Sequence, residues 1–211
     1  AGPGVARMTA RQALGVLQAE GIVEARKGAG VFVRDFRPVR RRGAERLAHS
    51  RWGEGRSVWE ADTDGRELVV DSVEVTEEDA PALVAGVLEL REGDRVCVRR
   101  RRYVLDGEPV LLSTSYLPGE LVARTPIAQP DTGAGGVYAR LEELGRGPVH
   151  FREEIRSRMP TVQEADQLAL PSGVPVVLIA RTAFDADGVA IEVNHMVLDS
   201  AAYVLEYDFE A

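Results

Sequence analysis

From Ala10 onward the apolar residues fall at Ala10, Ala13, Leu14 and Leu17, the spacing of one helix face, and at Ile22 the period changes to that of strands. Gly21 stands where such a helix would stop, just after Glu20. Ile22 to Arg26 and Val31 to Val33 read as two short strands, and Lys27-Gly28-Ala29-Gly30 between them suits a tight hairpin turn. A helix that exposes Arg7, Thr9, Arg11 and Gln12 and is followed by a basic-tipped hairpin has the pattern of a winged helix. A recognition helix sets its N-terminal side chains against base edges in the major groove, while arginines and hydroxyls hold phosphates. Arg7 and Arg11 are four apart and project from one face. Lys27 and the backbone at Gly28 are expected to approach the sugar-phosphate chain or the minor groove. Solvated arginines on an ordinary amphipathic helix are the plainer alternative for any one of these residues.

The string R-M-T-A-R-Q-A-L, the hydrophobic helix after it, E-G-I and the K-G-x-G-V-F-V wing together resemble the DNA-binding head of the GntR family of bacterial transcription regulators. The resemblance implies binding to double-stranded operator DNA. Two departures stand out. The family usually has Ser or Thr at the position of Ala6, where a hydroxyl would cap the helix. It also begins with two further helices, whereas this chain starts at Ala1-Gly2-Pro3, partway through the motif, so residues 1–36 are expected to be a head lacking its N-terminal part.

A net charge of −8 argues against DNA binding until it is divided along the chain. Residues 1–42 carry nine basic and three acidic residues, a net +6; the rest carries 17 basic and 31 acidic residues, a net −14. A basic head on an acidic body engages phosphate with one end only. No apolar run approaches the ~20 residues a membrane helix needs, and no signal-peptide pattern opens the chain. A lone Cys97 leaves no intramolecular disulfide and no cysteine-rich metal site. A cytoplasmic protein without metal, cofactor or membrane partner is the expectation.

Residues 37–67, with Arg40-Arg41-Arg42 and one proline, read as a linker whose basic run either contacts DNA or is merely solvated. From 68 to 211 a second domain is expected. Leu68 to Val75 reads as a strand, and Thr76-Glu77-Glu78-Asp79 has the spacing of a helix start, with Leu83, Val84, Val87 and Leu88 as its buried stripe. Arg95 to Leu105 and Val110 to Tyr116 form a hairpin about Asp106-Gly107. A glycine loop, 131–136, leads into a short helix from Val137 to Glu143. Val149 to Met159 is a strand, Thr161 and Glu164 make a capping box, Val176 to Ala186 and Val189 to Leu198 form another hairpin, and Tyr203 to Phe209 alternate as a last strand. The sum is an α+β domain with an antiparallel sheet.

That element order, with the arginine-rich strand before D-G-E-P-V, S-Y-L-P, R-T-A-F-D-A-D-G and I-E-V-N, resembles the UTRA effector domain of the HutC subfamily of GntR regulators. The resemblance implies a chorismate-lyase-like fold.

Alternate residues of a strand share a face, so Arg100 and Arg102 point together. Val96, Val98 and Val104 share that face, which suggests that the pair points inward. Two inward guanidiniums need an anion: a carboxylate or phosphate ligand, or else Glu153, Glu154 or Glu192. In related effector domains two arginines at this place bind a sugar phosphate, and the resemblance carries that role to Arg100 and Arg102. Backbone amides at Gly135 and Gly136, ahead of the short helix, suit an anion. The loop lacks the Lys-Ser/Thr of a nucleotide-binding loop. Where amino-sugar-phosphate sensors commonly have Ser and Glu, this chain has Gly136 and Ser113. Glu192 matches a family position that can face the ligand, with Asn194 beside it on one face. His49, His150 and His195 have no metal-site spacing, and no nucleophile motif appears. The expectation is a ligand-responsive, homodimeric regulator, most simply a repressor modulated by a small anionic metabolite, with a ligand-binding module or a lyase-like enzyme as the alternative.

Overall fold

The computed structural model describes residues 6–20, 22–26, 28–33, 38–43, 47–48 and 66–208. Helix α1 spans Arg7–Ala19 and starts at Ala6 without a side-chain cap, as alanine dictates. Strands β1 (Val23–Arg26) and β2 (Gly30–Val33) pair antiparallel with Val23 opposite Val33. At the turn, Gly28 and Gly30 adopt positive φ, 78° and 122°, which favours glycine. Gly21 and Lys27 lie outside the described residues, as do Trp52, Trp59, His49 and Phe209.

The larger unit is a six-stranded sheet in the order β4-β5-β6-β9-β8-β7, antiparallel throughout: β4 (Leu68–Asp79), β5 (Arg95–Leu105), β6 (Glu108–Pro118), β7 (His150–Arg158), β8 (Val176–Phe184) and β9 (Ala190–Asp199). Asp106 and Gly107 both take positive φ, 50° and 87°, the backbone a two-residue turn needs to match strand twist. Helices α2 (Ala82–Val87), α3 (Gly119–Val122), α4 (Gly136–Glu143) and α5 (Val162–Gln167) and a 3-10 turn at Pro126–Ala128 fill the connections. Thr161 and Glu164 form the expected reciprocal capping box on α5.

Three apolar clusters hold the sheet. On one face, Cys97, Leu117, Ala183 and Ile191 meet Val122, Ile127, Val137 and Leu141. Further along the same face, Tyr103, Leu105, Leu111, Ile179, Met196 and Leu198 pack under Val39 and Leu205. On the opposite face, α2 lays Val84 and Leu88 over Val96, Val98 and Val193. Side chains between the first two clusters are polar, and the candidate site lies there.

Two expectations require correction. Thr76 to Asp79 do not start a helix: β4 runs on to Asp79 because the long β5 offers partners as far as Arg95, opposite Asp79. The helix begins only at Ala82, after Pro81, so its face is rotated; Val84 and Leu88 are buried, whereas Leu83 is 85% exposed and Val87 is also exposed. Nor is the chain from 38 to 43 a structureless tether. Val39–Arg42 is a strand, β3, paired parallel with β10 (Tyr203–Glu206), and Val39 and Arg41 face inward. Arg40 and Arg42 stay at the surface and bind the Glu206 carboxylate.

Candidate functional site

Strand register decides which charged groups meet. Arg99 lies opposite Ser115 and Arg101 opposite Ser113 on β6, and Ser115 in turn lies opposite Asn194 on β9. Asn194 pairs with Arg181, and Glu192 with Ala183, on β8. One face of the sheet therefore carries Arg99, Arg101, Ser113, Ser115, Glu192, Asn194 and Arg181 between the two apolar clusters. The loop 130–136 and the start of α4 close over them. Arg99, Arg101, Arg181, Glu192 and Asn194, with that loop, line a cavity of about 350 Å³, a size that suits a small metabolite. Ser113 and Ser115 lie beneath its wall, bonded to Asn194 and Arg101 respectively.

Arg99 is only 2% exposed, yet no carboxylate among the described residues forms an ion pair with it. Its guanidinium donates instead to the carbonyls of Ile127, Gln129 and Pro130, the last at 2.9 Å. It thereby ties down the segment that leads into the glycine loop. Burial and the neighbouring charge of Arg101 press its pKa below the ordinary arginine value. Such a site favours an anion, because a buried cation held only by dipoles gains most from an opposite charge. Arg101 donates to Ser115 Oγ at 2.8 Å, and its guanidinium also lies 5.9 Å from the centre of the Tyr103 ring.

Across the cavity, Tyr138 donates to Glu192 at 2.8 Å and accepts from Arg181 at 3.4 Å. Burial, the Glu192 carboxylate and its hydrogen bond push the Tyr138 phenol above its usual range. Ser113 Oγ donates to Asn194 Oδ1 at 2.9 Å. Asp131 accepts the Gly133 amide at 2.8 Å, and Gly133, Gly135 and Gly136 all hold positive φ. No side chain caps α4 at Gly135. Gly135, Gly136, Val137 and Tyr138 at its start line the cavity, at the end of a helix where backbone N–H groups lack intrahelical partners.

Four of the six sequence-derived effector residues, Gly135, Gly136, Glu192 and Asn194, thus share one cavity. Arg100 and Arg102 do not. They lie on the opposite face of β5, about a third exposed, where Arg100 donates to Glu78 at 2.7 and 2.9 Å and Arg102 Nε donates to Asp71 at 2.9 Å. Their hydrogen bonds hold the Glu78 carboxyl down at about 2 and the Asp71 carboxyl below its usual range. Both faces of β5 carry apolar residues. The valines beside Arg100 are covered by α2 only as far as Val98, whereas Cys97, Tyr103 and Leu105 flank Arg99 and Arg101 beneath the larger cover. Arg99, Arg101, Tyr138 and Arg181, which the sequence patterns do not single out, complete the polar lining of the cavity. The small polar residues Ser113 and Ser115, in register with Arg101 and Arg99, are what marks this face in the sequence.

In the head, Arg7, Thr9, Arg11 and Gln12 are all exposed on α1, and Gly28 is exposed at the hairpin tip. His195 is on the opposite face of the sheet from the cavity, exposed and edge-on to Tyr116. Among the described residues no group of His, Cys, Asp and Glu could hold a metal ion, and no helix is long and apolar enough to cross a membrane.

The UTRA domain family model matches residues 63–203. An uncharacterized HTH-type transcriptional regulator of Streptomyces coelicolor is 33% identical over 210 residues, covering 96% of this chain and 78% of the relative. The HTH-type transcriptional repressor PhnF of Mycolicibacterium smegmatis is 31% identical over 191 residues, covering 89% of this chain and 72% of the relative. Among solved structures, a putative GntR-family transcriptional regulator superposes with a TM-score of 0.70 at 28% identity, covering 99% of this chain and 84% of that one. The structure of PhnF gives 0.66 at 25%, covering 98% and 86%.

Proposed function

The chain belongs to the GntR family of HTH-type transcriptional regulators with a UTRA domain, and from that premise we propose how its ligand is sensed. As a member, it is a ligand-responsive, DNA-binding transcriptional regulator. In our reading the effector is a small anionic metabolite seated in the 350 Å³ cavity. Its negative group lies against Arg99 and Arg101 and the first amides of α4. Its hydroxyl or amino groups meet Glu192 and Asn194. One observation carries this reading: Arg99 is almost wholly buried on the cavity wall and held by carbonyls, without a carboxylate ion pair among the described residues.

The head, residues 1–36, reads operator DNA through Arg7, Thr9, Arg11 and Gln12, with Lys27 and Gly28 at the wing. Residues 68–211 bind the effector and form a homodimer. The corresponding subfamily is HutC, the setting cytoplasmic, and the role regulation rather than catalysis. Repression is the natural sign, since the relatives NagR of Bacillus subtilis and PhnF are both named repressors.

The deciding experiment is thermal melting of the intact protein with a panel of phosphorylated and carboxylated metabolites, each beside its uncharged counterpart. A ligand that binds only the folded state raises the melting temperature by mass action. Stabilisation by charged members alone is expected. Equal stabilisation by an uncharged counterpart would rule out the anionic effector.

A further inference from the structure

Behind the cavity wall one buried carboxylate serves two arginines from distant parts of the chain. Glu153 Oε1 accepts Arg181 Nε at 2.9 Å and Arg41 Nη2, while Oε2 accepts Arg41 Nη1 at 3.0 Å and the Tyr207 hydroxyl at 3.2 Å. Arg41 and Arg181 are each only 1% exposed. Arg181 belongs to the cavity lining, where it also meets Tyr138 and through it Glu192. Arg41 belongs to β3, and Tyr207 directly follows β10, the strand paired with β3. The chain leaves the wing hairpin at Val33 and enters β3 at Val39.

Charges this deep are weakly screened, so the two guanidiniums feel each other's partners. Neither can turn to water if its carboxylate shifts, since leaving a buried charge unpaired is costly. An anion entering the cavity attracts Arg181, and whatever moves Arg181 changes the geometry that Glu153 offers to Arg41. Because Glu153 is shared, the response reaches β3, the first described strand after the head.

We infer that Glu153 is the positioning residue that couples occupancy of the cavity to β3, through Arg181 on one side and Arg41 on the other. The inference rests on the reading of the cavity as an anion site. A coupling of this kind transmits only as much free energy as the anion's affinity differs between the two arrangements of Arg41.

The test uses the intact protein labelled with ¹⁵N-arginine and titrated with inorganic phosphate. Resonances are assigned by single Arg→Lys substitutions. Arg41 Nε is buried and has no hydrogen-bond partner, which makes its N–H a sensitive reporter. Expected are shifts at Arg99 and Arg101, and a shift at Arg41 with the same midpoint although it lies outside the cavity lining. Glu153→Asp keeps the charge but is one methylene shorter and cannot span both arginines. In it the Arg41 shift should be lost while Arg99 and Arg101 titrate as before. Shifts at Arg99 and Arg101 with Arg41 unmoved in the parent would overturn the coupling and leave the anion site standing. An Arg41 shift that persists in Glu153→Asp would equally overturn it. Absence of any shift at Arg99 and Arg101 would overturn the anion site, and the coupling with it.

Discussion

Arg99 and Arg100 are neighbours on one strand, yet the pleat of β5 sends Arg99 into the wall of a cavity and Arg100 to the opposite face, onto Glu78. One is an almost wholly buried cation tied to three carbonyls; the other is a surface ion pair. The same separation holds for Arg101 and Arg102.

Arg101→Ala should weaken effector binding by roughly 10- to 100-fold, the worth of a charge-assisted hydrogen bond of ~1.5–3 kcal/mol. Arg100→Ala and Arg102→Ala, which remove surface ion pairs, should leave it unchanged. Calorimetric titration of the three variants with an effector found in the melting screen separates these outcomes.

Removing the Glu153 side chain leaves Arg41 and Arg181 buried without their shared carboxylate. Glu153→Ala should therefore destabilise the fold by ~3–5 kcal/mol, measurable by urea unfolding. Glu78→Ala, at a partly exposed pair, should cost less than about 1 kcal/mol.

Burial alone would raise the Glu153 carboxyl, but the hydrogen bonds from Arg41 and the charges of Arg181 and Arg41 outweigh it and hold the pKa at about 2. The folded value lies below the ordinary 4.5, so the stabilisation is complete above pH 4.5 and is lost as pH falls towards 2. Melting temperature should fall across that window. The gap between the parent and Glu153→Gln should narrow there, whereas a constant gap would assign the acid loss to other carboxylates.

Gly136 opens α4 at a φ of 68°, and a Cβ there would meet nothing within 4 Å. Gly136→Ala should thus cost only the strain of a left-handed alanine, about 1–2 kcal/mol. Denaturant midpoints measure this.

Arg11 is exposed on α1. Arg11→Ala should weaken operator binding and lower the log–log salt slope by about one unit, the signature of one lost phosphate contact. Binding titrations at several salt concentrations read both.

Local features were legible in the chain because neighbours in sequence settle them. The change of period at Ile22 marks α1 and the β1–β2 hairpin. Asp106-Gly107 specifies a turn whose two residues take positive φ, and Thr161 with Glu164 caps α5 whatever lies around it. Even the shared face of Glu192 and Asn194 follows from local spacing, and both line the cavity.

What the chain could not disclose are the pairings between distant segments. Val39 and Arg41 alternate with Arg40 and Arg42 in strand fashion, but only β10, more than 160 residues later, turns that short basic run into a strand and buries Arg41 on Glu153. Thr76 to Asp79 satisfy the spacing of a helix start, and the free edge of β5 overrides it by supplying a full ladder of hydrogen bonds. Apolar residues flank the arginines on both faces of β5, so periodicity alone could not say which pair points inward. The depth of cover decides that: α2 reaches only Val98, while α4, the 131–136 loop, β3 and β10 enclose the face of Arg99 and Arg101. Burial of a charge is a property of everything packed above it, and that exists only once the whole chain has folded.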